Sequence, residues 1–250
     1  MKLISKGLAM LFAMLIVLSS CSQKEAANNT LSRAEKKEGF ILMFDGKTTD
    51  GWRGYNLDYF PSNWIIDDEA IHCQASGNNE AGAEDGGDIL YDKKFSDFHL
   101  KLEWRISEGG NSGMFYLNQE LPQFDKMYYT SPEMQVLDNE NHPDAKMGIA
   151  GNRQAGSLYD LIPAVPQNAK PFGEWNQVEI IVKDGSVSHI QNGEEVLSYQ
   201  LWTEEWDEMV ANSKFPDLNP DWHKVAKSGY FGVQDHGDDV WYRNIRIKEL

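Results

Sequence analysis

Apolar and polar positions alternate in many short runs along the chain, and helical periodicity is scarce. In Phe98-His99-Leu100-Lys101-Leu102-Glu103-Trp104-Arg105-Ile106 the period of two is unbroken, as in a strand with one buried face. Further strands are predicted over 40–44, 63–67, 70–74, 112–117, 132–137, 177–183, 186–191, 195–200, 229–235 and 240–248. Asp184-Gly185 and Asn192-Gly193 are the dipeptides that tight hairpin turns favour. One short helix is predicted near 203–213, where Trp206, Met209 and Val210 share a face. No internal repeat interrupts this pattern. Short antiparallel strands at such density predict an all-β sandwich or jelly roll of two antiparallel sheets.

Alternation also separates side chains that enter the core from those that leave it. Glu103 and Arg105 point away from the apolar set of strand 98–106. Glu133 and Gln135 oppose Met134 and Val136, and Gln234 and His236 oppose Phe231 and Val233. These six are expected to share one sheet face. A solvated outer face is the plainer explanation, but such faces are rich in Lys, Thr and Ser. Glu, Arg, Gln and His beside Trp and Tyr instead suit a polar pocket of sugar size.

The N-terminus departs from the strand pattern. Lys2 and Lys6 precede an apolar run over 8–18, shorter than the ~20 residues a membrane span needs and typical of a secretory signal. It ends at Leu18-Ser19-Ser20-Cys21, a lipobox pattern, which predicts a signal peptide over 1–20 and a lipidated Cys21. The polar stretch 22–38 is too poor in apolar residues to offset its ordering entropy and is expected to be a flexible tether. The folded domain is then 39–250, held at the cell envelope by the lipid. Cys73 is the one cysteine left in it, so no internal disulfide forms, and it is expected to pack as a small apolar group. A formal net charge of −16 argues against nucleic acid and against an anionic membrane surface as partners.

Other clusters are less specific. Asp138-Asn139-Glu140-Asn141-His142-Pro143-Asp144 is dense in oxygen and imidazole groups. It is either an acidic loop or, with Glu133, Asp138 and His142 as ligands, a site for a divalent cation. The stretch from Asn78-Asn79-Glu80 to Asp85-Gly86-Gly87-Asp88 is a Gly-rich loop, with a calcium site as the alternative. P-loop, dinucleotide-binding, CxxC and G-x-S-x-G patterns are missing, which removes several enzyme classes.

Several runs taken in order resemble the 3-keto-disaccharide hydrolase family. They are Phe44-Asp45-Gly46-Lys47 with Gly51-Trp52; Glu103-Trp104-Arg105-Ile106 with Gly110-Asn111-Ser112-Gly113; Glu133-Met134-Gln135-Val136-Leu137-Asp138; Ala155-Gly156-Ser157-Leu158-Tyr159-Asp160; Gly173-Glu174-Trp175-Asn176; His189 ahead of Asn192-Gly193; Gly232-Val233-Gln234-Asp235-His236-Gly237; and Arg243-Asn244-Ile245. The similarity spans 39–250. It departs mildly at Ile190-Gln191, where the family often has an aromatic residue and leucine.

The resemblance implies a concanavalin A-like jelly roll with its site on the concave sheet. It adds Asn111, Asp138, Tyr159, His189 and Arg243 to the candidates. It also implies a 3-keto-glycoside as substrate. A ketone at carbon 3 acidifies the hydrogen on carbon 2, so a base removes that proton and the glycosidic group leaves; water then adds to the glycal. On this basis Glu133 or His236 is expected to move the proton and Arg105 to hold the enolate. Gln135, Asn111 and Tyr159 are expected to position hydroxyls, with His189, Gln234 and Arg243 as further substrate contacts. Two alternatives remain: direct hydrolysis by Glu103 and Glu133, and a non-catalytic sugar-binding lipoprotein on the same scaffold. A partner oxidoreductase is expected to supply the keto group.

Overall fold

The computed structural model of the protein describes residues 27–78 and 83–250. The signal run, Cys21, residues 22–26 and the loop positions Asn79 and Glu80 lie outside the described residues. Two antiparallel sheets form a sandwich, as the alternation predicts. The larger, eight-stranded sheet runs in the order β11 (Glu194–Gln200), β10 (Ser186–Gln191), β9 (Asn176–Lys183), β6 (Phe98–Ile106), β13 (Val240–Glu249), β4 (Ala70–Cys73) and β3 (Trp64–Asp67), with β1 (Ile41–Leu42) also pairing to β13. The five-stranded sheet runs β2 (Trp52–Gly54), β5 (Ile89–Phe95), β12 (Gly229–Val233), β7 (Asn111–Asn118) and β8 (Glu133–Leu137).

Between the sheets lies the apolar set that alternation selects. Leu100, Leu102, Trp104 and Ile106 of β6 join Val178, Ile180 and Val182 of β9; Met114, Met134, Val136, Phe231 and Val233 come from the other sheet. Each such side chain contributes roughly 1.5–3 kcal/mol when fully buried. Cys73 is buried and free, as expected for a small apolar group. Polar links also cross the core. Ser112 Oγ and Tyr242 OH are 2.8 Å apart, and His189 joins Tyr116.

His189 therefore sits in the core between the sheets, contrary to the expectation from resemblance. It shares the inward parity of Val187 on β10 and is 0% exposed. Its Nδ1 lies 3.0 Å from the Gly156 carbonyl, which can only accept, so Nδ1 carries the proton and Nε2 accepts from Tyr116 OH at 2.8 Å. Burial pushes its pKa down to about 4, which keeps the ring neutral.

The hairpins close as their dipeptides require. Asp184 and Gly185 have φ of 50° and 80°, and Asn192 and Gly193 have 50° and 84°, the paired positive angles of a type I′ turn. The predicted helix is α2 (Glu204–Ala211), capped by Thr203. Two more short helices accompany it, α1 (Arg33–Glu38) and α3 (Phe215–Leu218). α1 corrects the tether: residues 27–38 are not free. Ser32 and Glu35 form a capping box, Glu35 pairs with Arg246, and Asn29 exchanges hydrogen bonds with Asn244. Ordering comes from polar contacts to β13, which apolar content does not register.

Candidate functional site

The five-stranded sheet carries the site on the face turned away from the core. Glu133 and Gln135 of β8 oppose Met134 and Val136 in parity, yet all are buried, because loops roof this face. One roof piece is a 3-10 turn, Met127–Tyr129. Asn118 Nδ2 donates to its Met127 carbonyl at 3.0 Å. The Asp88 carboxylate accepts from Met127 N and from Asp235 N, each at 3.1 Å. That one buried acid thus ties the roof to the segment carrying Gln234 and His236; burial raises its pKa to about 6. Beneath the roof is a cavity of about 170 Å³ lined by Asn111, Tyr128, Glu133, Gln135, Tyr159, Lys214, Phe215, Leu218, Gln234 and His236.

Glu133 lies at the floor of this cavity and is 7% exposed. Burial pushes its carboxyl up to about 8, against the pull of the nearby Lys214 ammonium, with Asp88 and Asp144 adding to the rise. Its place depends on Gly113, which pairs with Gln135 across the β7–β8 ladder. A Cβ at Gly113 would overlap the Glu133 carboxyl group. Gly113→Ala is therefore expected to displace that carboxyl and lower turnover by ~10²-fold, the cost of about an ångström of misplacement, with the β7–β8 pairing retained. A circular dichroism melt beside the activity assay separates displacement from unfolding.

A polar network holds the opposite wall. Tyr159 OH donates to Asp144 Oδ2 at 2.9 Å and accepts from Lys214 Nζ at 3.3 Å. Arg153 bridges Asp144, at 2.8 Å, and Asp160. The Lys214 ammonium also sits 4.4 Å from the centre of the Tyr159 ring. Two amides on the cavity lining have an atom without a hydrogen-bond partner among the described residues. They are Asn111 Oδ1 and Gln135 Nε2, on residues 5% and 1% exposed. One is an acceptor and the other a donor, the pair a hydroxyl group satisfies, and leaving such groups buried and unpaired is costly.

Asn111 Nδ2 donates to His236 Nε2 at 3.2 Å, and His236 Nδ1 stands 3.8 Å from Asp238 Oδ2. Among the described residues, His142, His236 and Asp238 form the group whose nitrogen and oxygen atoms converge, within 4.8 Å, as cation ligands would. The expected metal set of Glu133, Asp138 and His142 does not converge. Asp138 instead organises its own loop, accepting from the backbone of Gly109 at 2.8 Å and Glu140 at 3.1 Å and from Asn141 Nδ2 at 2.7 Å. Those bonds hold its carboxyl below the usual range although burial works the other way.

Three further expectations are corrected by the sheet topology. Glu103 and Arg105 belong to β6 and Arg243 to β13, both in the eight-stranded sheet. The whole inter-sheet core separates them from Glu133. Glu103 pairs with Arg243 at 2.8 Å, Arg243 lies 3.9 Å over the Trp175 ring, and Arg105 lies over Trp175 and Trp241. They form an ion-pair and aromatic layer on the outer face of the wrong sheet for this cavity. Glu103 and Glu133 therefore cannot flank one glycosidic bond. Of the expected residues, Glu133, Gln135, Gln234, His236, Asn111 and Tyr159 do come together.

Sequence reasoning missed Lys214, Tyr128, Phe215 and Asp144. Lys214 follows α2 in Ser213-Lys214-Phe215-Pro216, where no periodicity marks a direction. Asp144 was visible only as one acid in a dense loop.

Comparisons with known proteins agree with this architecture. A family profile described as 3-keto-alpha-glucoside-1,2-lyase-like domain matches residues 39–248. A 3-keto-disaccharide hydrolase of Bacteroides thetaiotaomicron (strain VPI-5482) is 50% identical over 247 residues, 92% of this chain and 85% of its own length. A crystal structure from Parabacteroides distasonis, provisionally named a glycosyl hydrolase, matches with a TM-score of 0.79 at 32% identity, covering 90% of this chain and 100% of that one. A second structure from that organism, with the same provisional name, has a TM-score of 0.64 at 22% identity over 84% of this chain and 99% of its own, and shows the fold alone. With the profile and the relative both spanning most of its length, the chain belongs to the 3-keto-disaccharide hydrolase family.

Proposed function

We propose that this protein cleaves 3-keto-glycosides by elimination and hydration, with Glu133 moving the proton on carbon 2. The observation that carries this is a buried carboxyl with its pKa pushed up to about 8, at the floor of a cavity that also presents an ammonium group. A carboxylate with so high a pKa is a strong base, suited to a hydrogen acidified by an adjacent ketone. In the elimination step the Glu133 carboxylate takes the proton from carbon 2. The electron pair forms the second bond between carbons 1 and 2, and the glycosidic oxygen leaves from carbon 1 and takes a proton from a water molecule. In the hydration step the hydroxide so formed adds to carbon 1, and the Glu133 acid returns its proton to carbon 2.

Charge on the ketone oxygen needs a cation. Arg105 was the expected one but lies on the other sheet, and Lys214 fills the role in the cavity. With its Nε2 accepting from Asn111, His236 supports the site by position, and Glu133 moves the proton. Gln135, Asn111, Gln234 and Tyr159 position the sugar hydroxyls. A cavity of about 170 Å³, below the ~300–1,000 Å³ of larger ligand sites, suits one sugar ring.

Two parts of this proposal rest on the sequence. The lipobox-like run ending at Cys21 supports export and a lipid anchor at the cell envelope. The missing dinucleotide-binding pattern supports an oxidoreductase partner that makes the keto sugar. The test of the chemistry is a 3-keto-glucoside deuterated at carbon 2. Aglycone release is expected to slow several-fold, as carbon–hydrogen cleavage requires. Equal rates for the two isotopic substrates, under conditions where substrate binding is at equilibrium, contradict the elimination step.

A further inference from the structure

The chain enters the domain on the face opposite the cavity. Asn29, 6% exposed, exchanges hydrogen bonds with Asn244 of β13, and its Nδ2 donates to the Glu69 carbonyl at 2.8 Å. Glu35 of α1 pairs with Arg246, and Lys248 Nζ lies 3.2 Å from Glu38. These attachments strap residues 29–38 to the eight-stranded sheet. Just before the strap, Ala27 and Asn28 line a groove of about 390 Å³ with Glu103 of β6, Gln177 of β9 and Arg243 of β13. Those strands are the middle of that sheet, and these side chains point away from the core. Ala27 therefore sits near the centre of the outer face of one sheet, whereas the Glu133 cavity lies on the outer face of the other.

The length of chain before Ala27 turns this placement into an orientation. Ala27 stands six positions after Cys21, and a fully extended chain covers at most ~3.6 Å per residue, or about 22 Å here. A domain of this size has a radius of about 22 Å and a diameter of about 45 Å. For the cavity to face a membrane that holds Cys21, the chain would have to span that diameter. Lying on its side already takes the whole reach.

The chemistry of the face suits the headgroup layer it would meet. Trp175 and Trp241 are half-buried there, and indole rings, apolar with one polar edge, favour the membrane–water interface. Arg105, Arg243 and Arg246 pair with Asp68, Glu103 and Glu35. These acids are neutralised, so they put little repulsion between this face and lipid phosphates.

Resting on the lipid anchor at Cys21 proposed above, we propose that residues 27–38 hold the outer face of the eight-stranded sheet against the anchoring membrane. Its phospholipid headgroups are the partner of that face. The Glu133 cavity then opens away from the bilayer, toward soluble glycosides.

The test uses the lipidated full-length protein on phosphatidylcholine vesicles doped with headgroup spin-labelled phosphatidylcholine, a short-range quencher. A fluorophore is attached to the new thiol of Gln177→Cys, exposed in the groove beside Ala27, or of Leu218→Cys, exposed at the cavity mouth. Cys73 is buried and takes no label. Quenching is expected to be several-fold stronger at position 177 than at 218. Inserting about twenty Gly and Ser residues between positions 26 and 27 adds a coil of roughly 25 Å, and the contrast is expected to shrink toward equality. Equal quenching without the insertion, or stronger quenching at 218, overturns the orientation and leaves the anchor intact. A contrast that the insertion leaves unchanged overturns the short tether as its cause. A processed protein whose mass shows no lipid on Cys21, and which stays off the vesicles, overturns the anchor reading and the orientation with it.

Discussion

Glu133→Gln is expected to reduce turnover of a 3-keto-glucoside by ~10²–10⁴-fold, the usual worth of a positioned proton-transfer group, while making the folded protein more stable at alkaline pH. Both effects have one cause. Burial raises the Glu133 pKa to about 8 from an ordinary 4.5, so the folded state favours the protonated form. The stability tied to that proton is fully present below about 4.5 and is lost as pH rises through about 8. Gln does not titrate, so the variant gains on the wild type across that window, by an amount on the order of a few kcal/mol at 1.36 kcal/mol per unit. Thermal melts at pH 5 and pH 9 read this directly: the two proteins converge at the lower pH and separate at the higher. In the wild type, elimination needs the carboxylate, so its rate rises with pH through about 8, whereas hydration needs the acid and declines over the same range. An active Glu133→Gln, or an elimination rate independent of pH from 6 to 9, removes Glu133 from the mechanism.

Lys214→Met is expected to cost ~10²–10³-fold in kcat, the scale of one lost donor to a developing oxyanion. Met keeps much of the length and removes the charge. A structural role alone would lower activity without moving its pH dependence. Lys214, however, is the foremost group pulling the Glu133 pKa down against burial. Removing it is therefore expected to shift the elimination profile to higher pH, and Lys214→Arg to restore the profile more fully than the rate. A loss of kcat with no alkaline shift contradicts the placing of this ammonium beside Glu133. A retained kcat contradicts its role at the enolate.

How much of this was legible in the sequence follows from what alternation encodes. A period of two states whether a side chain enters or leaves the core, and on that question Glu103, Arg105, Glu133, Gln135 and Gln234 all read correctly. It does not state which of two sheets a strand joins. Glu103 and Glu133 therefore looked like neighbours although β6 and β8 lie in different sheets. His189 was readable from parity, since it falls in step with the buried Val187, but resemblance drew it to the site. β5 was not predicted, because Asp92, Lys93 and Lys94 are exposed in its second half and break the pattern. Lys214 lies in an aperiodic turn, and only the roof over the five-stranded sheet brings it to Glu133. The order of residues 27–38 rests on polar pairs to β13, among them Glu35 with Arg246, which are invisible until both partners are placed.

The central claim is that a ketone at carbon 3 is what makes the glycosidic bond labile in this cavity. The most direct measurement offers the purified protein a 3-keto-glucoside and its unoxidised counterpart side by side and follows aglycone release. Release from the keto substrate alone, abolished in Glu133→Gln, is the predicted result. Release from both at similar rates, or binding of both without release from either, would contradict it.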